Sequence, residues 1–385
     1  MKKDWTYKKL GDCLSYIKNG ANIKQTRGAG GIPITRIETL SGGVFNHDRL
    51  GFADITDTKK YENFYLETGD LLMSHINSKT YIGRTVMYNQ EGNEKIIHGM
   101  NLLRLKVIKE LIYPSFFCYY AKSNRFKDDI VKIRKDAVNQ SSICISDIVQ
   151  ISIPIPPLVD QELIVRELDA IHGILEKKQE QLRLLDHLAQ AIFYDMFGDP
   201  ITNPKQWEVK KLGEVCDFLN GKAHEQDIDE NGQFILINSK FIATDSSVYK
   251  RTIKQHLPLY KNDIVMVMSD VPNGRALAKC FLVDENDKYS LNQRICAFRN
   301  YTQNPLYLYY VINRNQYYLD FDNGNSQTNL RKDDVINCPI ILPPLSLQQS
   351  FAAKIEAIEA QKTAIRQSIR EVEALLVQRM DHYFS

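Results

Sequence analysis

The sequence predicts an α+β chain in which two repeated α/β units are separated by two long antiparallel coiled-coil helices with pseudo-twofold symmetry. Three observations predict it. Two long stretches hold a 3.5-residue apolar period, an internal repeat relates the two halves of the 385-residue chain, and the remainder alternates short apolar runs with polar, glycine-containing loops. The boundaries read as a first unit at 1–155, a helix at 156–199, a second unit at 200–342 and a second helix at 343–385.

Each helical stretch opens on a di-proline, Pro156-Pro157-Leu158 or Pro343-Pro344-Leu345. Ile164, Leu168, Ile171, Leu175, Lys178, Leu182, Leu185, Ala189, Ile192 and Met196 follow at steps of four and three. Phe351, Ile355, Ile358, Lys362, Ile365, Ile369, Val372, Leu376, Arg379 and Tyr383 repeat that pattern 187 positions later. Such a period keeps one stripe facing a partner helix, so the stretches read as two sides of one seam. Asp160 is the expected N-cap of the first helix, and Ser346 to Gln349 the expected capping box of the second. Gly198 and Pro200 stop the first helix. About 38 residues at 1.5 Å rise make each helix about 57 Å long. Two alternatives stay open for the seam lysines Lys178 and Lys362, which either fix register or turn outward. The outward Arg183, Asp186 and His187 either meet helices of a partner or are solvated.

The repeat extends into the units. Trp5-x-x-x-x-Leu10-Gly11 answers Trp207-x-x-x-x-Leu212-Gly213, Gly69-Asp70-Leu71-Leu72 answers Asn262-Asp263-Ile264-Val265, and Gln140-Ser141-Ser142 answers Gln327-Thr328-Asn329. Strands are expected at Ile32 to Ile37, Leu71 to Ser74 and Leu102 to Val107, and at Phe234 to Ile237, Ile264 to Met268 and Ile295 to Arg299, with a helix after Pro114 and after Pro305. Domain termini lie at the surface and often close together, so the end of helix one should lie near the start of helix two. Antiparallel helices with one unit at each end follow.

The net charge of +2 argues against a simple polycation, but its distribution is uneven. Residues 1–150 carry 23 Lys and Arg against 16 Asp and Glu, or +7, whereas residues 198–337 carry 17 against 18, or −1. The seven scattered cysteines form no Cys-x-x-Cys pair, which points away from a disulfide framework or a zinc site. No run approaches the roughly 18 apolar residues of a membrane span, and the amino terminus lacks the apolar core of a signal peptide, so the expected location is the cytoplasm.

No catalytic signature is present: neither a phosphate-binding Gly-x-x-x-x-Gly-Lys motif nor an amino-methyltransferase Asn-Pro-Pro-Tyr run occurs. Asp128-Asp129 and Asp333-Asp334 read as solvated charges before they read as metal ligands. The chain looks like a reader without chemistry of its own. Asn and Gln match the major-groove edge of adenine, and Arg or Lys that of guanine. On that chemistry the candidate DNA-binding residues of the first unit are His75, Asn77, Ser78, Lys79, Thr80, Tyr81 and Arg84, then Lys132, Arg134, Lys135, Asn139, Gln140 and Ser141. Those of the second are Ser269, Asn273 and Arg275, then Asn323, Asn325, Ser326, Gln327, Thr328 and Arg331. Each is equally an exposed turn former taken alone. Their recurrence at matching places in both copies raises the functional reading.

These residues carry a resemblance. Ile153-Pro-Ile-Pro-Pro157-Leu158-x-x-Gln161 and Ile340-Ile-Leu-Pro343-Pro-Leu345-x-x-Gln348, with the Trp-x-x-x-x-Leu-Gly openers and Gly324-x-Ser326-Gln327, resemble the DNA-specificity subunit of Type I restriction-modification enzymes over the whole chain. The resemblance implies two target recognition domains, each reading one half of a bipartite, asymmetric double-stranded DNA site. It also implies two docked modification subunits that supply S-adenosylmethionine and adenine N6-methylation, and restriction subunits that supply ATP- and Mg-dependent translocation and cleavage, with no cofactor or metal on this chain. A reader subunit of a Type II-like methyltransferase or nuclease, and a paired-domain scaffold for other ligands, stay open. Two heads on one spacer reach one duplex face when half-site centres lie about 34 Å or modestly more apart. The +7 unit is predicted to supply more of the salt-dependent phosphate binding, and equal salt slopes for the two isolated units would contradict this.

Overall fold

The computed structural model describes residues 5–26, 30–55, 59–138, 140–271, 274–324 and 326–385. The chain divides into two compact units, one formed by residues 1–179 with 367–385 and the other by residues 180–366. Each unit therefore takes half of each long helix into its own core.

In the first unit an antiparallel four-stranded sheet has the order Leu14–Asn19, Leu102–Val107, Leu71–Ser74, Thr85–Met87. Leu71 to Met73 form an unbroken apolar run because both faces of this strand are covered. Leu71 and Met73 point into a core with Phe116, Phe117 and Tyr120 of the helix Pro114–Lys122, whereas Leu72 joins Leu40, Leu66 and Tyr88 on the other face. The second unit repeats the plan. Its strands run Asp217–Asn220, Ile295–Arg299, Ile264–Val267, Cys280–Leu282, with Ile264 and Met266 on one face and Val265 and Val267 on the other. The register Leu71↔Leu105 recurs as Ile264↔Phe298, the same offset at both partners.

The opener motif lies at the sheet that leads into each long helix. Thr6–Lys9 pairs with Ser152–Ile155, and Glu208–Lys211 pairs with Pro339–Leu342. Leu10 and Leu212 are buried, donating their N–H groups to Ile151 O and Cys338 O. The following glycines leave room for a crossing chain, since a Cβ on Gly11 would come within 2.9 Å of Val149 and one on Gly213 within 3.0 Å of Ile336.

The long helices run Leu158–Phe197 and Leu345–Phe384, 40 residues each, or about 60 Å at 1.5 Å rise. The first stops at Gly198, whose φ of +78° suits glycine. The starts differ from the expectation: both helices begin directly after the di-proline, so Asp160 lies in the first turn, and Ser346 is inside the helix instead of capping it. The buried glutamines of the motif fasten these ends. Gln161 accepts the Tyr113 N–H and donates to Leu111 O and Pro156 O, each at 2.9 Å. Gln348 likewise accepts the Asn304 N–H at 2.8 Å and donates to Pro343 O at 2.9 Å.

Seam residues Ile164, Leu168, Ile171, Phe351, Ile355 and Ile358 are buried, whereas Leu182, Leu185, Ile192, Ile365, Ile369 and Val372 are half-buried. Within the second unit the helices pair antiparallel: Asp186 meets Lys362 while Phe193, further along the first helix, meets Phe351, earlier on the second. Asp186 is exposed, as expected, and also serves the seam, because Lys362 is buried with its ammonium held by Asp186 at 2.5 Å and Glu359 at 2.6 Å. Burial pulls the Lys362 pKa down, but the two carboxylates outweigh it and hold the ammonium above its ordinary range. In the first unit Glu167 takes Arg379 and the Tyr383 hydroxyl.

The expected strand Ile32 to Ile37 ends at Ile34, and a 3-10 helix begins at Ile37. Thr39 Oγ1 accepts the Arg36 N–H and so removes that donor from the ladder. Likewise the strand from Ile264 ends at Val267, one residue early.

One charged pair is buried under the first sheet. Arg104 Nη2 lies 2.7 Å from Asp70, both side chains 2% exposed, and the carboxylate also accepts the Glu67 N–H. Burial pushes the Asp70 carboxyl above its ordinary value, against the pull of that N–H and of Arg104. The second unit keeps the carboxylate and moves the cation two positions, with Arg299 Nη2 2.6 Å from Asp263. Removing one partner of such a pair strands the other. Arg104→Met should lower the unfolding free energy of the first unit by about 3–5 kcal/mol, and adding Asp70→Leu should restore most of it, as read by urea denaturation. A single variant as stable as the parent would contradict the buried-pair account.

Candidate nucleic-acid interface

The two polar segments of the first unit, far apart in sequence, meet in one small sheet. Beyond the central strand, Ile76–Asn77 pairs with Ser141–Ser142, which pairs with Lys135–Asp136. Asn77 sits opposite Ser141. Asp136 is the hub of this ribbon: it accepts from Ser141 Oγ at 2.6 Å and pairs with Lys79 at 3.0 Å and Arg134 at 3.1 Å. Ser141, then Lys79, hold its carboxyl below the ordinary range. Lys79, Arg134 and Ser141 therefore build the ribbon as well as lining it.

Other candidates divide in the same way. His75 is buried below the ribbon, with Nε2 against Asn19 Nδ2 at 3.3 Å, and burial lowers its pKa. Lys132 pairs with Asp129 along its helix, Lys135 donates to Cys144 Sγ, and Asn77 Oδ1 accepts the Ser78 N–H. Thr80, Tyr81 and Gln140 are exposed. The Arg84 guanidinium stacks on the Tyr81 ring at 4.3 Å and donates to Leu40 O at 3.2 Å.

The second unit repeats the ribbon with different chemistry. Ser269–Asp270 pairs with Thr328–Asn329, and the pair Asp270↔Thr328 corresponds to Asn77↔Ser141. Gln327 Nε2 donates to Ser269 Oγ, which donates to Asn329 Oδ1, while Thr328 Oγ1 donates to Asp322. Asp270 accepts the N–H groups of Val271, Ala276 and Leu277, tying a loop on which Arg275 is exposed. Ser326 and Arg331 are exposed, the Ser326 N–H bonding Asn323 Oδ1 and the Arg331 N–H bonding Asp334. Asn139, Asn273 and Asn325 lie outside the described residues.

Two basic residues escaped the sequence reading. Arg84 O accepts the Ser74 N–H, and Lys279 O accepts the Val267 N–H. Ser74 and Val267 are equivalent, so Lys279 is the counterpart of Arg84. A two-residue difference in the intervening loops hides this when residue types alone are aligned. Arg49 is the other: together with Leu40, Ser41, Asn77, Tyr81 and Arg84 it lines a cleft of about 520 Å³ beside the first ribbon. Its place depends on a fold between residues 37 and 49 that no local pattern announces.

Among the described residues no group of three His, Cys, Asp or Glu side chains is arranged to hold a metal ion, and no helix is long and apolar enough to cross a membrane. His224 bonds Ser290 Oγ at 2.7 Å, but its other ring nitrogen meets Lys222 O and Ser290 is fully buried, so the contact ties a loop to the strand Tyr289–Leu291.

Residues 2–184 and 204–374 both match the family model described as the Type I restriction modification DNA specificity domain. A Methanocaldococcus jannaschii protein described as the MjaX specificity subunit of a type I restriction enzyme is 27% identical, over 93% of this chain and 87% of its own length. The MjaVIII specificity subunit of the same organism is 22% identical over 93% and 86%. Among solved structures, the Type-I restriction-modification system S subunit from M. genitalium is similar at TM-score 0.50 and 14% identity, covering 98% of this chain and 95% of that one. A chain from a study of type I R-M complex assembly and conformational transition reaches 0.52 at 15% identity, covering 99% and 97%.

Near the ribbon of the first unit, His98 is fully buried and donates from Nε2 to Leu102 O at 2.8 Å, leaving Nδ1 unpartnered. Burial drives its pKa down to about 4. The unfolded chain binds this proton near pH 6.5 and the folded chain near 4, so stability is full above about 6.5 and falls on acidification toward 4. The His98 share of that loss is about 3 kcal/mol. Thermal unfolding between pH 7 and pH 4.5 should show a smaller decrease for His98→Asn than for the parent; identical pH dependence would contradict the assignment.

Proposed function

Because the chain belongs to the Type I restriction modification DNA specificity family, we propose that it reads a bipartite, asymmetric duplex target, one half-site per unit, and positions adenine-N6 methyltransferase subunits on it. As a specificity subunit it is not an enzyme. The observation that carries the proposal is the duplicated ribbon. Asn77 and Ser141 occupy, in one unit, the paired positions that Asp270 and Thr328 occupy in the other. One scaffold with different surface chemistry suits two different half-sites. The short strands suit a groove-reading ribbon, a known alternative to a recognition helix.

Chemistry belongs to the partners in this reading. Adenine leaves the stack before its N6 is methylated, at a cost of a few kcal/mol, and contacts from a separate reader help to offset it. S-adenosylmethionine, ATP and Mg²⁺ are held by modification and restriction subunits in the cytoplasm. In the first unit Leu163 and Ile174, three turns apart on one face of the long helix, are exposed, which supports docking of partner helices there.

The test is to map N6-methyladenine in DNA from cells carrying this gene with its neighbouring methyltransferase gene, and from cells lacking only this gene. The expected result is a bipartite motif with a fixed gap, present only with this chain. Exchange of residues 1–150 should then change one half-site and leave the other. A motif that persists without this chain, or that changes in both halves, would overturn the proposal.

A further inference from the structure

The cleft beside the first ribbon is bounded by the 3-10 helices Ile37–Gly43 and His47–Arg49 on one side and by the turn from Asn77 to Arg84 on the other. Its two cations are held differently. Arg84 is fixed: its guanidinium lies on the Tyr81 ring, Nη1 is spent on Leu40 O, and its Nε and Nη2 edge has no partner among the described residues. Arg49 is exposed; its backbone is anchored by Thr39 Oγ1, while its side chain makes no ion pair among the described residues.

At the equivalent place in the second unit the cation is paired. Lys279 donates to Ala243 O at 3.4 Å, as Arg84 does to Leu40 O, but Lys279 is also paired with Asp245 at 2.7 Å. Glu38 also lines the cleft of the first unit, but its carboxylate pairs with Arg36 at 3.5 Å, and among the described residues no carboxylate forms an ion pair with Arg84 or Arg49.

Resting on the specificity reading above, we propose that this cleft divides the work of the first half-site: Arg84 reads a guanine and Arg49 binds a backbone phosphate. A planar fork held by stacking matches the O6 and N7 acceptors of guanine and has little freedom left to lose on binding. A free guanidinium on a long stem suits a phosphate, which needs charge more than fixed geometry. The second half-site then lacks a guanine contact of this kind, because Asp245 already occupies Lys279.

The experiment uses the complex of this chain with its methyltransferase subunits and duplexes carrying its methylation motif or single-base changes in it. Arg84→Lys keeps the charge and loses the fork. It should reduce discrimination at one guanine of the first half-site by roughly 5- to 150-fold and leave other positions as they were. Arg49→Ala should weaken all duplexes alike and lower the salt slope by about 1, with Arg49→Lys close to the parent. Thermal unfolding of each variant checks that the fold is kept. Unchanged base preference in Arg84→Lys, or unchanged affinity and slope in Arg49→Ala, would overturn the division while leaving the specificity reading intact. A parent complex that binds every duplex equally would sink both.

Discussion

Each unit depends on how it holds the long helix that leaves it, and at the start of each helix that hold centres on a buried glutamine. Gln161 satisfies one donor and two acceptors of the main chain around a di-proline, where the ring nitrogens offer no N–H. Each such bond is worth about 1 kcal/mol net, but leaving its partners unmade in the core costs about 1–3 kcal/mol apiece. The entry to the helix is therefore pinned to the loop before the helix Pro114–Lys122, and Gln348 pins its counterpart in the same way. Aromatic packing continues the attachment: Phe116 meets Phe384 in the first unit, and Phe197 meets Tyr307 and Phe351 in the second. A specificity subunit needs this rigidity, since a base-reading side chain works only when the element carrying it is fixed.

The same frame is then used twice with different surfaces. Central strands are buried on both faces in each unit and keep one register, so a change there disturbs two cores at once. The ribbons carry no such load on their exposed side. In the first unit Asp136 gathers Lys79, Arg134 and Ser141, and in the second Gln327, Ser269 and Asn329 bond one another. Internal bonding of this kind costs some recognition capacity and holds the remaining exposed groups in place. Part of the positive charge of the first unit is neutralised inside the ribbon, and two of its cations that pair with no carboxylate among the described residues, Arg84 and Arg49, line one cleft together with Glu38, which pairs with Arg36.

Much of this was legible in the sequence, and the legible parts share a cause. A 3.5-residue apolar period, a di-proline and a Leu-Gly pair act through neighbours along the chain or through burial common to both copies, so the long helices, the central strands and the duplication could be read directly. The candidate polar segments were found because turn residues cluster locally. Sequence alone did not separate the residues that build the ribbon from those left exposed on it: His75 and Ser141 are buried, Lys79 is exposed but paired with Asp136, and Tyr81 and Gln140 are exposed.

What only the tertiary structure decided lies where distant residues meet. Pairing of Ile76–Asn77 with Ser141–Ser142 joins segments some 65 residues apart, and the register of the central strands identifies Lys279 as the partner of Arg84. The choice of Asp186 to hold Lys362, and the approach of Arg49 to Asn77, likewise depend on folded geometry. The sequence by itself determined the repeated architecture and its family, because periodic burial is written in residue type. The candidate surface was decided by tertiary structure, because there a side chain's role depends on which charge or ring lies beside it.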